Sequence, residues 1–139
     1  MAMRRSRRPD DLALTMGGFP LFEGVGDEEL AELASLALFH EYPKNNILSY
    51  RGDPAGPVYL VIGGRVKVIL TNDEGREVIV ALCGPGGIFG LTSALDGQDQ
   101  LGTAITIEQT QIARVNGEAF LGWTRRSSGA QNVLVRELT

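Results

Sequence analysis

Between Phe89 and Ala104 the chain gathers three hydroxyls, Thr92, Ser93 and Thr103, and among its glycines Gly90 and Gly102 let a ligand come close to the main chain. Hydroxyls beside a glycine-bounded turn can hold a small neutral or weakly acidic molecule, with the backbone N–H groups of Gly90 and Leu91 as further donors. The same hydroxyls can equally serve to satisfy the local backbone. No Lys, Arg or His lies between Phe89 and Ile105, so this stretch carries no counter-charge of its own.

Other chemistry-bearing residues lead nowhere comparable. His40 and Cys83 are each the sole representative of their type, and no local motif joins them as base and nucleophile. Cys83 ends an apolar run and reads as a packed small side chain; His40 reads as a boundary residue rather than a metal or haem ligand. Catalysis has no case here, and we expect no enzyme, no metal and no cofactor. Asp96 and Asp99 lack the alternating oxygen ligands and closing glutamate of a calcium loop, so they read as a solvated turn. Gly84, Gly86 and Gly87 around Pro85 lack the lysine and the strand-to-helix context of a phosphate loop, so they read as a bend.

The elements that must position these residues follow from periodicity. Residues 1–18 read as a basic arm carrying Arg4, Arg5, Arg7 and Arg8, with a short apolar turn through Leu12, Leu14 and Met16. Asp27 is an expected N-cap for a helix from Glu28 to Leu38, because Leu30, Leu33, Ala34, Ala37 and Leu38 recur at helical spacing. Strand-like runs follow at Tyr42–Pro43, Ile47–Tyr50, Val58–Ile62, Val66–Leu70, Val78–Leu82, Ala104–Ile107 and Ile112–Val115. Turns at Arg51–Pro54 and Asn72–Gly75 separate them. About eight short strands in a chain of 139 residues call for a rolled, antiparallel, mainly β domain of jelly-roll type rather than an open sheet. Asn116 is placed to cap a helix through Phe120 and Leu121 that Gly122 interrupts, and Ala130–Leu138 starts a last helix. The expected organisation is an arm over 1–18, a roll over 19–128 and the beginning of a C-terminal dimerisation or linker helix over 129–139.

Thirteen Lys and Arg against seventeen Asp and Glu give a formal charge of −4, a balance that repels nucleic acid unless basic residues cluster. They cluster only in the N-terminal arm, so the chain by itself is not expected to bind DNA. A single cysteine excludes an internal disulfide and fits a reducing cytoplasm. No apolar run is long enough to cross a bilayer, and we expect no membrane partner.

The ordered blocks FPLFEGVGDEELAEL (from Phe19), ILSYRGD (Ile47–Asp53), VYLVIGGRVKV (Val58–Val68), GPGGIFG (Gly84–Gly90) and Leu95, Asp96, Gly97 together resemble the cyclic-nucleotide-binding domain of the CRP/FNR superfamily. The resemblance implies an antiparallel β-roll with flanking helices, and a short cassette between two strands that holds a cyclic phosphate and its ribose. On this chain the cassette falls at Phe89, Gly90, Leu91, Thr92, Ser93, Gly102, Thr103 and Ala104. Two positions depart from the pattern: the family's ribose-binding glutamate falls on Leu91 and its phosphate-binding arginine on Gly102. A lost charge-assisted bond costs roughly 1.5 to 3 kcal/mol, so cyclic AMP is disfavoured, and Leu91 is expected to fill the vacated space. What the resemblance then implies is a regulatory sensor domain of a CRP/FNR-like transcription regulator with an atypical pocket. The alternatives are a protein-interaction module with a vestigial pocket, or a receptor for an unusual cyclic nucleotide. Expected partners are a small-molecule effector, a second copy of the chain met through the C-terminal helix and the roll, and DNA only through a domain this chain lacks.

Overall fold

Leu12 and Met16 stand one helical turn apart, and the segment that carries them coils. The computed structural model, which describes residues 9–138, begins with helix α1 (Pro9–Gly17). Leu12 is 2% exposed and Met16 fully buried, so the apolar turn expected through Leu12, Leu14 and Met16 is a helix docked on the core over residues 9–17. Two apolar side chains on one face repay the ordering of that helix by joining the core. The arginines at 4, 5, 7 and 8 lie outside the described residues.

A single 3-10 turn over Pro20–Phe22 leads to α2 (Asp27–Leu36). Its N-cap is Gly26 rather than Asp27: the Glu29 carboxylate reaches back to accept from the Gly26 N–H at 3.0 Å. The helix also stops short of the expected Leu38, because Ala37 and Leu38 already belong to a strand.

Eight strands follow: β1 (Ala37–Tyr42), β2 (Ile47–Ser49), β3 (Val58–Gly63), β4 (Val66–Thr71), β5 (Glu77–Cys83), β6 (Ile88–Phe89), β7 (Thr103–Thr106) and β8 (Thr110–Val115). They form two four-stranded antiparallel sheets, ordered β1-β8-β3-β6 and β2-β7-β4-β5. Between β6 and β7 runs helix α3 (Leu91–Asp96), and after β8 come α4 (Gly117–Thr124) and α5 (Ser128–Leu138). Helix α4 runs through Gly122 without the expected break.

Strand β3 shows why its apolar run is unbroken. Val58, Leu60 and Ile62 join a cluster shared with the helices, whereas Tyr59 and Val61 join a second cluster with Val66 and Ala104 of the other sheet. A strand buried on both faces has no position left for a polar residue. Strand β8 divides likewise, with Ala113 and Val115 toward the helices and Ile112 toward the roll interior. The helical layer is pinned by Trp123, whose ring lies edge-on to Phe22 at 6.2 Å and whose Nε1 donates to the Glu29 carbonyl at 2.8 Å.

Candidate functional site

The cassette begins where the chain turns out of β6. Gly90 sits at φ +87°, and a Cβ there would come within 2.7 Å of the Pro57 carbonyl oxygen, so no other residue fits the turn. The six-residue helix α3 then packs beside α4: a Cβ on Gly117 would lie 3.1 Å from the Ala94 Cβ.

Inside this corner lies a cavity of about 290 Å³. Phe89, Gly90, Thr92, Ser93, Gly102 and Ala104, all named from the sequence, line it. Two named residues do not. Leu91 is 3% exposed but belongs to the core shared with the helices, so the expectation that it fills the space is corrected. The first residue of α3 faces that core, and the cavity stays open behind it. Thr103 points outward and accepts from the Arg51 backbone N–H at 3.0 Å.

The rest of the lining comes from strands far off in the chain: Ser49 of β2, Val68 of β4, Val80 and Ala81 of β5, and Gln100 and Leu101 of the loop before β7. Alternation along β4 could have placed Val68 beside Val66 on an inward face, but nothing in the spacing marked Ser49 or Gln100. None of these lining residues is ionisable. The Ser93 hydroxyl donates to the Gln100 side-chain carbonyl at 3.4 Å, a long bond that leaves both groups with spare capacity. Phe89 stacks on Tyr59 with ring centroids 4.6 Å apart and planes 4° from parallel, which gives the cavity a stiff wall. Behind that wall burial pushes the Tyr59 phenol up from its ordinary value, against the pull of Arg114.

At Gly102 the backbone runs against β4. A Cβ would meet the Ile69 carbonyl oxygen and Val68 Cγ1, each at 2.8 Å. The position at which the resemblance expects a phosphate-binding arginine therefore has no room for a side chain while Val68 and the Ile69 carbonyl keep their places.

A family model described as the cyclic nucleotide-binding domain matches residues 39–127. The chain belongs to that family. This cyclic nucleotide-binding domain is 35% identical over 111 residues to the cyclic AMP receptor protein of Thermus thermophilus, an alignment covering 80% of this chain and 51% of that protein. Among solved structures it resembles the catabolite activator protein of Thermus thermophilus, with a TM-score of 0.76, 33% identity and coverage of 86% of this chain and 56% of that one. It shares its fold with the sensor domain of the transcriptional regulator DNR from Pseudomonas aeruginosa, at a TM-score of 0.81, 22% identity and coverage of 94% and 87%. The domain spans about half the length of the curated relatives it matches.

The remaining candidates stay peripheral to the cavity. His40 lies in β1 of the first sheet, edge-on to Tyr42, and Cys83 ends β5 in the second. Among the described residues no three His, Cys, Asp or Glu side chains gather as a metal site, and no helix is long and apolar enough to cross a membrane. Asp96 accepts from the Gln98 N–H at 2.9 Å in an exposed turn. The Gly84–Gly87 bend pairs with β3, Gly86 donating to the Val61 carbonyl at 2.8 Å and Gly87 accepting from the Val61 N–H at 2.9 Å.

Proposed function

We propose that this chain is the regulatory sensor domain of a CRP/FNR-like transcription regulator, cytoplasmic, non-enzymatic, and tuned to an effector other than cyclic AMP. One observation supports the reading: the cavity is lined by residues of the stretch that the resemblance reads as the cassette, and that lining offers no cation to a phosphate. Leu91 supplies no acceptor for a ribose hydroxyl, and Gly102 supplies no guanidinium. Burying an unneutralised phosphate costs more than its remaining hydrogen bonds return.

The mechanism is a population shift. Occupancy of the cavity bears on Phe89, Gly90 and Ser93, hence on α3; Leu91 and Ala94 of α3 pack in one core with Phe120 of α4 and Val133 of α5. Arg136 of α5 donates to the carbonyls of Leu21 at 3.1 Å and of Glu23, which ties that helix to the 3-10 turn. A change at α3 therefore biases the docking of the last helix, and in the complete regulator that helix would set the spacing of DNA-reading elements. The exposed apolar Val135 and Leu138 on α5 support pairing with a second copy.

Thermal unfolding with cyclic AMP, cyclic GMP and cyclic di-GMP tests the reading. A specific ligand at one hundred times its dissociation constant adds roughly 2.7 kcal/mol. No shift is expected at millimolar concentration. Stoichiometric micromolar capture of cyclic AMP would overturn the atypical-pocket reading and leave the family assignment standing.

A further inference from the structure

We infer that the roll cavity takes a small, uncharged, largely apolar molecule bearing one hydrogen-bonding group, seated against Ser93 and Gln100. The inference rests on the sensor reading above and names the ligand class of that same site.

Size sets the first limit. About 290 Å³ stands at the lower end of the roughly 300–1,000 Å³ found for small-molecule sites, which suits a one- or two-ring molecule. Surface chemistry sets the second. Val68, Phe89 and Ala104 are apolar walls, and the rim carries Leu101, 75% exposed, with Val80 half-exposed beside it. Large apolar side chains left in water at a cavity mouth gain most from an apolar occupant.

Polarity is neutral, carried by the Ser49, Thr92 and Ser93 hydroxyls and the Gln100 amide, of which the Ser93–Gln100 pair is the one joined by a side-chain bond. Ser93 is 7% exposed, and its long bond to Gln100 leaves the amide N–H₂ group free to donate and the hydroxyl free to accept. One alcohol, amide or ring N–H satisfies that pair. Any ionised group brought here gives up its hydration with no opposite charge in the lining to meet it. The stacked Phe89–Tyr59 wall is already ordered, so little conformational freedom is lost when a flat molecule lies along it.

Calorimetric titration of the full chain with indole, and with indole-3-acetate as the same ring carrying a charge, provides the test. Indole should bind saturably, and indole-3-acetate at neutral pH at least about tenfold more weakly. Gln100→Ala should weaken indole about 3- to 10-fold while leaving xenon binding intact. Ala104→Leu should abolish both by filling the cavity. Should that variant fail to fold, Val80→Trp at the exposed rim supplies the same block. The inference is overturned if indole-3-acetate binds as well as indole, if the blocking variants leave indole binding unchanged, or if neither indole nor xenon enters. Hydrogen exchange in residues 117–138 separates the two readings. Indole bound without altered protection there upholds the ligand class and sinks the sensor role, whereas cyclic AMP bound with altered protection does the reverse.

Discussion

Val68 Cγ1 stands 2.8 Å from the point a Cβ on Gly102 would occupy, and the Ile69 carbonyl oxygen stands at the same distance. The glycine is a packing requirement of this roll as well as a missing cation.

Restoring the arginine alone should therefore fail. Gly102→Arg is expected to destabilise the domain by about 1–3 kcal/mol through overpacking, without conferring cyclic AMP binding. Pairing it with Val68→Ala should recover part of that loss. Urea unfolding and nucleotide titration of the single and double variants check both points. A stable single variant that bound cyclic AMP would show that Val68 does not hold the position closed.

Leu91 faces the core shared with the helices, so its replacement is a stability question. Leu91→Ala should cost about 2–5 kcal/mol, and Leu91→Glu more, because the carboxylate would enter an apolar core without a partner. Equilibrium unfolding reads both. A well-folded Leu91→Glu would mean that the side chain had turned into the cavity instead.

Glu29 joins α2 to α4 and to the segment that leads into α5. Its carboxylate takes bonds from Ser127 and the Gly26 N–H, which hold its pKa below the ordinary 4.5, and its carbonyl accepts from Trp123. A carboxyl that loses its proton more readily when folded stabilises the native state above its unfolded pKa and loses that contribution as pH falls through the folded value. Stability measured below about pH 4.5 should therefore fall less steeply for Glu29→Gln than for the parent chain. Trp123→Phe, which removes the indole donor and part of a buried ring, should cost more at neutral pH than the hydrogen bond alone, which contributes about 0.5–1.5 kcal/mol.

Burial first, and then the Glu137 carboxylate, push the Cys83 thiol above its ordinary 9.0. The folded chain keeps that proton to higher pH than the unfolded one, so this contribution to stability is complete at low pH and declines as pH rises through the folded pKa. Only the thiolate alkylates, so iodoacetamide at pH 8 should label native Cys83 more slowly than the urea-unfolded chain. Equal rates would place the thiol in water.

Much of this domain was legible in the order of its residues. Alternation in Val66–Leu70, the Asn72–Gly75 turn and the unbroken Val58–Ile62 run mark strands because a period of two is a local property of extended chain. The lack of any cation between Phe89 and Ile105 was equally plain, since a missing residue type needs no structure to be seen. Tertiary structure decided the rest. It drew Leu12 and Met16 into the core, turned Leu91 away from the cavity, and brought Ser49, Val68 and Gln100 to one lining. Spacing records which residues share a face of their own element. Which faces meet depends on contacts between strands tens of residues apart, and those are settled only when the two sheets close on each other.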